Sequence, residues 1–140
     1  MRWRRVPGGV FVVLQHGDDV HASLLQVAVE AEVRSGALAG LGAADDIQIA
    51  YYDLARRAYD RLDLDGDHEV CGMTGNLTLV DGRPFAHVHA VLGGRDFAAR
   101  AGHLMRARCG ATLEIFVHDF GPEAIHRSPD PAIGLNLCSL

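Results

Sequence analysis

The sequence predicts an α+β domain, a mostly antiparallel or mixed β-sheet with one main covering helix. Three observations carry that expectation. Apolar residues recur at helical spacing in one stretch only, whereas many stretches alternate apolar and polar residues at the period of a strand. Asp81-Gly82, set between two alternating stretches, is a strong two-residue hairpin turn. One helix among many strands joined by tight turns is the pattern of an α+β domain.

Residues 10–15 read as the first strand, and Gly17-Asp18-Asp19 breaks it and supplies an aspartate to cap the helix that follows. Val20, Leu24, Val27, Ala28 and Ala31 make one apolar stripe suited to covering a sheet, and Ser35-Gly36 is expected to end the helix. Residues 37–44 are small and glycine-rich but lack the lysine and third glycine of a phosphate loop. They read as a strand that another backbone approaches closely. Residues 47–53 alternate as the next strand, and 54–58 connect it to 59–64. Asp63, Asp65, Gly66 and Asp67 resemble a fragment of a calcium loop without its closing glutamate or flanking helices, which leaves a solvated acidic turn.

The strand within 70–80 should fold back at Asp81-Gly82 onto the strand carrying residues 85–92. Gly93-Gly94-Arg95-Asp96 ends that strand, and residues 97–99 read as a short turn of helix. A further strand starts at Gly102-His103, and another covers 111–118. In the C-terminal tail, 121–140, residues 127–132 read as an exposed connection and 133–137 as a short edge strand.

At 140 residues with 49% apolar content, one domain over residues 1–140 is expected, large enough for a core without disulfide or metal staples. The apolar run Val10-Phe11-Val12-Val13-Leu14 is too short for a signal-peptide core, and no stretch is long enough to span a bilayer. Cys71, Cys109 and Cys138 are an odd count without close spacing, read as reduced thiols of a cytoplasmic protein. The net charge is −5, and no basic stripe follows the N-terminal arginines, which argues against a free-standing nucleic-acid binder.

Chemistry concentrates at Phe85-Ala86-His87-Val88-His89-Ala90. Side chains of a strand alternate, so His87 and His89 share one face while Ala86, Val88 and Ala90 take the other. If the next strand presents His103 on that face, three imidazoles surround one point. That donor set suits a divalent metal, zinc first, with a coordination position left open. Glu114, among apolar neighbours, is the candidate acid/base near such a site, or else the partner of Arg100 or Arg106 in an ion pair. Asn76 and Arg95 are either polar donors lining the same pocket or turn residues.

The order of Gly17-Asp18-Asp19-Val20, Gly40-Leu41-Gly42, Tyr51-Tyr52-Asp53, the run from Gly75 through Asp81-Gly82-Arg83-Pro84-Phe85, His87-Val88-His89, Gly102-His103-Leu104 and Thr112-Leu113-Glu114 resembles the plant-and-prokaryote-conserved (PPC) domain over nearly the whole chain. That resemblance implies a compact α+β fold, a homotrimer, and a DNA-binding label derived from plant members that join the domain to AT-hooks. An AT-hook needs Arg-Gly-Arg-Pro for the narrow minor groove. This chain has Asp81-Gly82-Arg83-Pro84, which reads as a turn. The fold family is also similar to α-acetolactate decarboxylase, a zinc enzyme with a His-x-His pair and a third histidine, and His87, His89 and His103 match it in kind. Two functions follow from the resemblance and the residues together. One is a DNA-binding or regulatory module with a three-histidine metal site, and the alternative is a small zinc-dependent hydrolase or lyase using the same site.

Overall fold

A computed structural model describes residues 1–140. The chain runs β1 (Arg2–Val6), β2 (Gly9–Gln15), α1 (Val20–Glu30), β3 (Gly36–Asp53), β4 (Ala58–Leu64), β5 (His68–Val80), β6 (Arg83–Gly93), β7 (Ala99–Asp119), β8 (His126–Asp130) and β9 (Leu135–Ser139). All nine strands belong to one sheet, and its only parallel pair is β5 with β8. The α+β class expected from the sequence is therefore the class observed.

The helix forms where the capping chemistry allows. The Asp19 carboxylate accepts the Ala22 N–H at 2.9 Å and satisfies one of the first-turn donors. Its C-terminus differs from expectation. The helix stops at Glu30, with Glu32 at φ 53° and the Val33 N–H returning to the Ala28 carbonyl at 2.9 Å. Glu32 thus takes the left-handed position that the sequence suggested for Gly36. Gly36 instead opens β3, where a Cβ would lie 2.4 Å from the His118 carbonyl oxygen of β7. Val20, Leu24, Val27 and Ala28 are buried, and α1 packs on β6, β7 and β2.

Two expected strand pairs prove to be single long strands. β3 carries residues 37–53 as one strand, paired with β7 as far as Ala50 through register shifts after Gly42, Asp45 and Gln48, and with β4 from Ile47 to Asp53. β7 likewise runs unbroken through Gly102 and Ala111, because its partners change along its length, β6 and β3 in its first half and β3 and β2 in its second. Residues 94–98 make a tight turn, with the Phe97 N–H donating to the Gly94 carbonyl at 2.9 Å, and no helical turn follows.

Pairing closes on itself. β3 lies between β7 and β5, β5 pairs with β6, and β6 returns to β7 at His89 to Gly93. The Asp81-Gly82 turn, with φ 49° and 75°, has the left-handed pair that a two-residue hairpin needs. Inside the ring and beneath α1 lies one core of buried residues that includes Leu14, Leu24, Ile47, Met73, Leu77, Leu92 and Ile115. The tail expected as a connection and an edge strand is a hairpin, β8 with β9, docked beside Leu79 and Val80 of β5. No helix is long and apolar enough to cross a membrane.

Candidate metal centre

Three histidines converge where β6 and β7 pair. Along β6, Ala86, Val88, Ala90 and Leu92 are buried in the core, so the alternation turns His87 and His89 to the opposite face. His103 of β7 is the direct cross-strand partner of His89. Ring centroids are 5.1 Å apart for His87 with His89, 5.1 Å for His87 with His103, and 5.3 Å for His89 with His103. One ligand atom from each histidine falls within a group spanning no more than 4.8 Å.

The donors fit a divalent ion. His87 Nε2 and His89 Nε2 stand 3.2 Å apart, close to the roughly 3.4 Å edge of a tetrahedral zinc bound at about 2.0–2.1 Å. Burial first, and then the adjacent His87, His89 and His21 rings, push the His103 imidazole down to about 4. His87 is lowered by burial, by His89 and by Arg127. Both rings are therefore neutral at neutral pH, which is the form that ligates a metal. Of the three, His89 is the exposed one, and the other two are half-buried.

A pocket of about 590 Å³ opens beside His87 and His103, walled by Tyr59, Phe85, Arg127 and the β8–β9 hairpin. Tyr59 stacks on His103 with centroids 5.3 Å apart and also meets Tyr52 at 4.9 Å. Burial, with Tyr52 alongside, raises the Tyr59 phenol above its ordinary range and keeps it a neutral donor. The hairpin is tied down over this wall by the Tyr52 hydroxyl, which donates to the Ile133 carbonyl at 2.7 Å, and by Arg57, which donates to Pro131 O at 2.9 Å.

The remaining sequence candidates divide. Asn76 pairs with His87 across β5 and β6, and its Oδ1 accepts from Arg127 Nη2 at 2.9 Å, so it supports the pocket wall from behind. Arg95 is not with the histidines. It lines a separate, larger cavity of about 1170 Å³ with Asp63, Asp65, Asp67 and His68, because the 94–98 turn carries it past the end of β6. Glu114 is not there either. It lies on β7 eleven residues beyond His103, roughly 35 Å along the strand at about 3.3 Å per residue, where it is exposed and pairs with Val13 and Leu41. Arg106 is engaged instead by Asp46 at 2.9 Å and Asp63 at 3.2 Å, and Glu114 takes part in no ion pair.

Arg127 is the pocket residue that sequence reasoning passed over. Its stretch, His126-Arg127-Ser128-Pro129-Asp130, is proline-broken and reads as tail. The available signal was Asp130 four residues before Gly134, a turn that returns the chain as a hairpin: the Asp130 carboxylate accepts the Ala132 and Ile133 N–H groups at 2.8 and 3.0 Å.

Among solved structures, the chain is similar to a candidate DNA-binding protein from Ralstonia eutropha JMP134, with 29% identity, a TM-score of 0.91, and coverage of 99% of this chain and 95% of the other. A metal-containing protein from Archaeoglobus fulgidus is 28% identical with a TM-score of 0.88, covering 100% and 99%. A plant- and prokaryote-conserved (PPC) protein from Pyrococcus horikoshii, 24% identical with a TM-score of 0.89 and coverage of 99% and 94%, shares the fold. A comparison with proteins of curated function finds no match. The sequence profile of the Plants and Prokaryotes Conserved (PCC) domain matches residues 5–121, and with that match over most of its length the chain belongs to the PCC domain family.

Proposed function

We propose that this protein is a metal-dependent binding module in which His87, His89 and His103 hold a divalent ion, zinc in the first place, and the pocket beside them receives a small ligand. The observation that carries this reading is the convergence of three histidine donors within 4.8 Å on a surface whose two half-buried rings are held neutral. The similar protein from Archaeoglobus fulgidus, named as metal-containing, supports it. When bound, a zinc ion with three protein nitrogens supplies Lewis acidity at its open position. The chain's own residues shape what reaches that position: Tyr59 orients His103 by stacking, and Phe85 and the hairpin exclude water from one side.

A module fits the residues better than the hydrolase or lyase reading. An acid/base group is wanted within hydrogen-bond reach of the reacting atoms, and Glu114 stands elsewhere on the protomer, while Asp130 is engaged in its own turn. DNA binding is the second reading, favoured by the name of the Ralstonia eutropha relative. The net charge of −5 and the aspartate that stands where an AT-hook has its first arginine weigh against it. The homotrimer implied by the PPC resemblance belongs to the same proposal, with exposed Tyr51, Leu54 and Leu62 as apolar contact surface; light scattering should give a mass three times 15.1 kDa. Exposed free Cys71 and Cys138 support a reducing, cytoplasmic setting.

Elemental analysis of the purified protein, followed by calorimetric titration of the metal-stripped form with zinc, tests the central claim. One tightly held ion per chain is expected. Failure to bind zinc, nickel, manganese or iron would overturn it, and a gel shift at physiological salt would restore the DNA reading.

A further inference from the structure

Arg127 is a cation with no anionic partner. Its Nε donates to Thr78 Oγ1 at 2.9 Å, Nη1 to the Asn136 carbonyl at 3.0 Å, and Nη2 to Asn76 Oδ1 at 2.9 Å, all neutral acceptors. None of the ion pairs in the chain includes it. The one carboxylate on the same pocket, Asp130, is turned onto the Ala132 and Ile133 amides. A half-buried guanidinium attracts a counter-charge more strongly than one in open water.

The hydrogen-bond count adds geometry to this charge. A guanidinium carries five N–H groups, and the three bonds above leave one on each terminal nitrogen. The one on Nη2 reaches His87 Nδ1 in a long contact of 3.4 Å, which ties this end of the fork to the histidine cluster and leaves the second N–H of Nη1 as the donor without a partner. One free N–H on Nη1 and one weakly held N–H on Nη2 are a donor set for the two oxygens of an oxyanion, which takes the second by displacing the long contact to His87. The plane of the guanidinium is fixed by the same three bonds and by Phe85, whose ring centroid lies 5.2 Å from Arg127 Cζ. One cation among aromatic walls, Phe85 and Tyr59, matches a monoanion with an apolar body. A phosphate would want more charge and more donors than this wall offers.

We propose that the pocket beside the three histidines binds a small carboxylate, that Arg127 is the residue that selects it, and that the β8–β9 hairpin exists to deliver this arginine to the site. The proposal rests on the reading of this pocket as the working site, but its charge selectivity is a property of Arg127 and holds with or without metal.

Benzoate and its neutral isostere benzamide are the probes, titrated into zinc-loaded and metal-stripped protein and followed by ¹H–¹⁵N spectra that include the arginine Nε–H signals. Benzoate should bind at least about tenfold more tightly than benzamide, since a charged bidentate contact exceeds a neutral one by that much, and should move the Arg127 Nε–H signal. In R127Q the preference should vanish, and R127K should retain only part of it. Equal binding of the two probes by the wild type, or a preference that survives R127Q, would overturn the proposal, as would inorganic phosphate binding more tightly than benzoate. The wild-type comparison stands even if R127Q loosens the hairpin. Zinc binding is scored separately, so failure of the metal reading leaves a distinct signature: no zinc uptake, with the benzoate preference intact in stripped protein.

Discussion

Two cavities of the molecule contrast, and the larger of them holds the less organised chemistry. The cavity of about 1170 Å³ collects Asp63, Asp65, Asp67, Glu69, His68, Arg95 and Arg100, yet no three of its potential ligands approach one another as the histidines do. The cavity of about 590 Å³ has fewer ionisable groups, but its side chains are fixed by strand register and by one another. The difference lies in the backbone beneath. Around the larger cavity the charged groups sit on turns and strand ends, where side chains are free to point into water. At the smaller one, His87 and His89 are locked by the buried alternation of β6, and His103 by its pairing with His89. Abundance of charge does not make a site; a rigid frame that removes the alternatives does.

The strongest way to break this comparison is to remove one donor from the histidine cluster beside the smaller cavity and one from the larger cavity. His89→Ala should reduce zinc affinity by at least about 100-fold, because losing a ligand outright costs more than the loss of an outer-shell partner, whereas Asp65→Ala should leave it within about twofold. Competition against a chromophoric chelator measures both. Equal losses would mean that the ion is held at the acidic cavity after all.

The second contrast tests the frame itself. At Gly75 a Cβ would lie 2.1 Å from the His87 carbonyl oxygen, so Gly75→Ala forces β5 away from β6 directly behind the histidine pair. At Gly72, on the same strand beside the acidic cavity, a Cβ meets nothing within 4 Å. Chemical denaturation should show a loss of about 1–3 kcal/mol for Gly75→Ala, together with weakened zinc binding, and a change within about 0.5 kcal/mol for Gly72→Ala.

These positions also show what could be read from the sequence and what could not. The period of two made the shared face of His87 and His89 legible, and the Asp81-Gly82 turn made their hairpin legible. Placing His103 needed more, since register between strands ten or more residues apart depends on tertiary pairing rather than on local pattern. Glu114 looked buried because its neighbours are apolar, but alternation alone sends it outward from a strand whose Leu113 and Ile115 fill the core. β1 was missed since Arg2, Arg4 and Arg5 hide the pattern of an edge strand, where charge is a normal protection. The Asp130 turn gave a local sign of the β8–β9 hairpin, but its docking on the site rests on two pairs to β5 and on side-chain bonds of Arg127, which leave no local trace.

The smallest effect concerns how dry the histidine pocket is. In the metal-free protein, burial and the neighbouring rings lower His103 to about 4, below the 6.5 of an unperturbed imidazole. Between those values the unfolded chain holds a proton that the folded chain does not, so stability rises with pH across this window. The contribution is complete above pH 6.5 and disappears as pH falls through 4. The full shift is discounted for the partial exposure of the ring, which leaves about 1 kcal/mol, or about 3 °C in melting temperature for a chain of this size. Calorimetry of metal-stripped wild type and His103→Asn at pH 7.5 and pH 5 isolates it, because the other groups that titrate in this range are common to both proteins. The wild type should lose about 2 °C more than the variant on going to the lower pH, since pH 5 lies a little over halfway through the window. Equal losses would mean that water reaches His103 as freely as it reaches the acidic cavity, and the contrast between the two cavities would then rest on register alone.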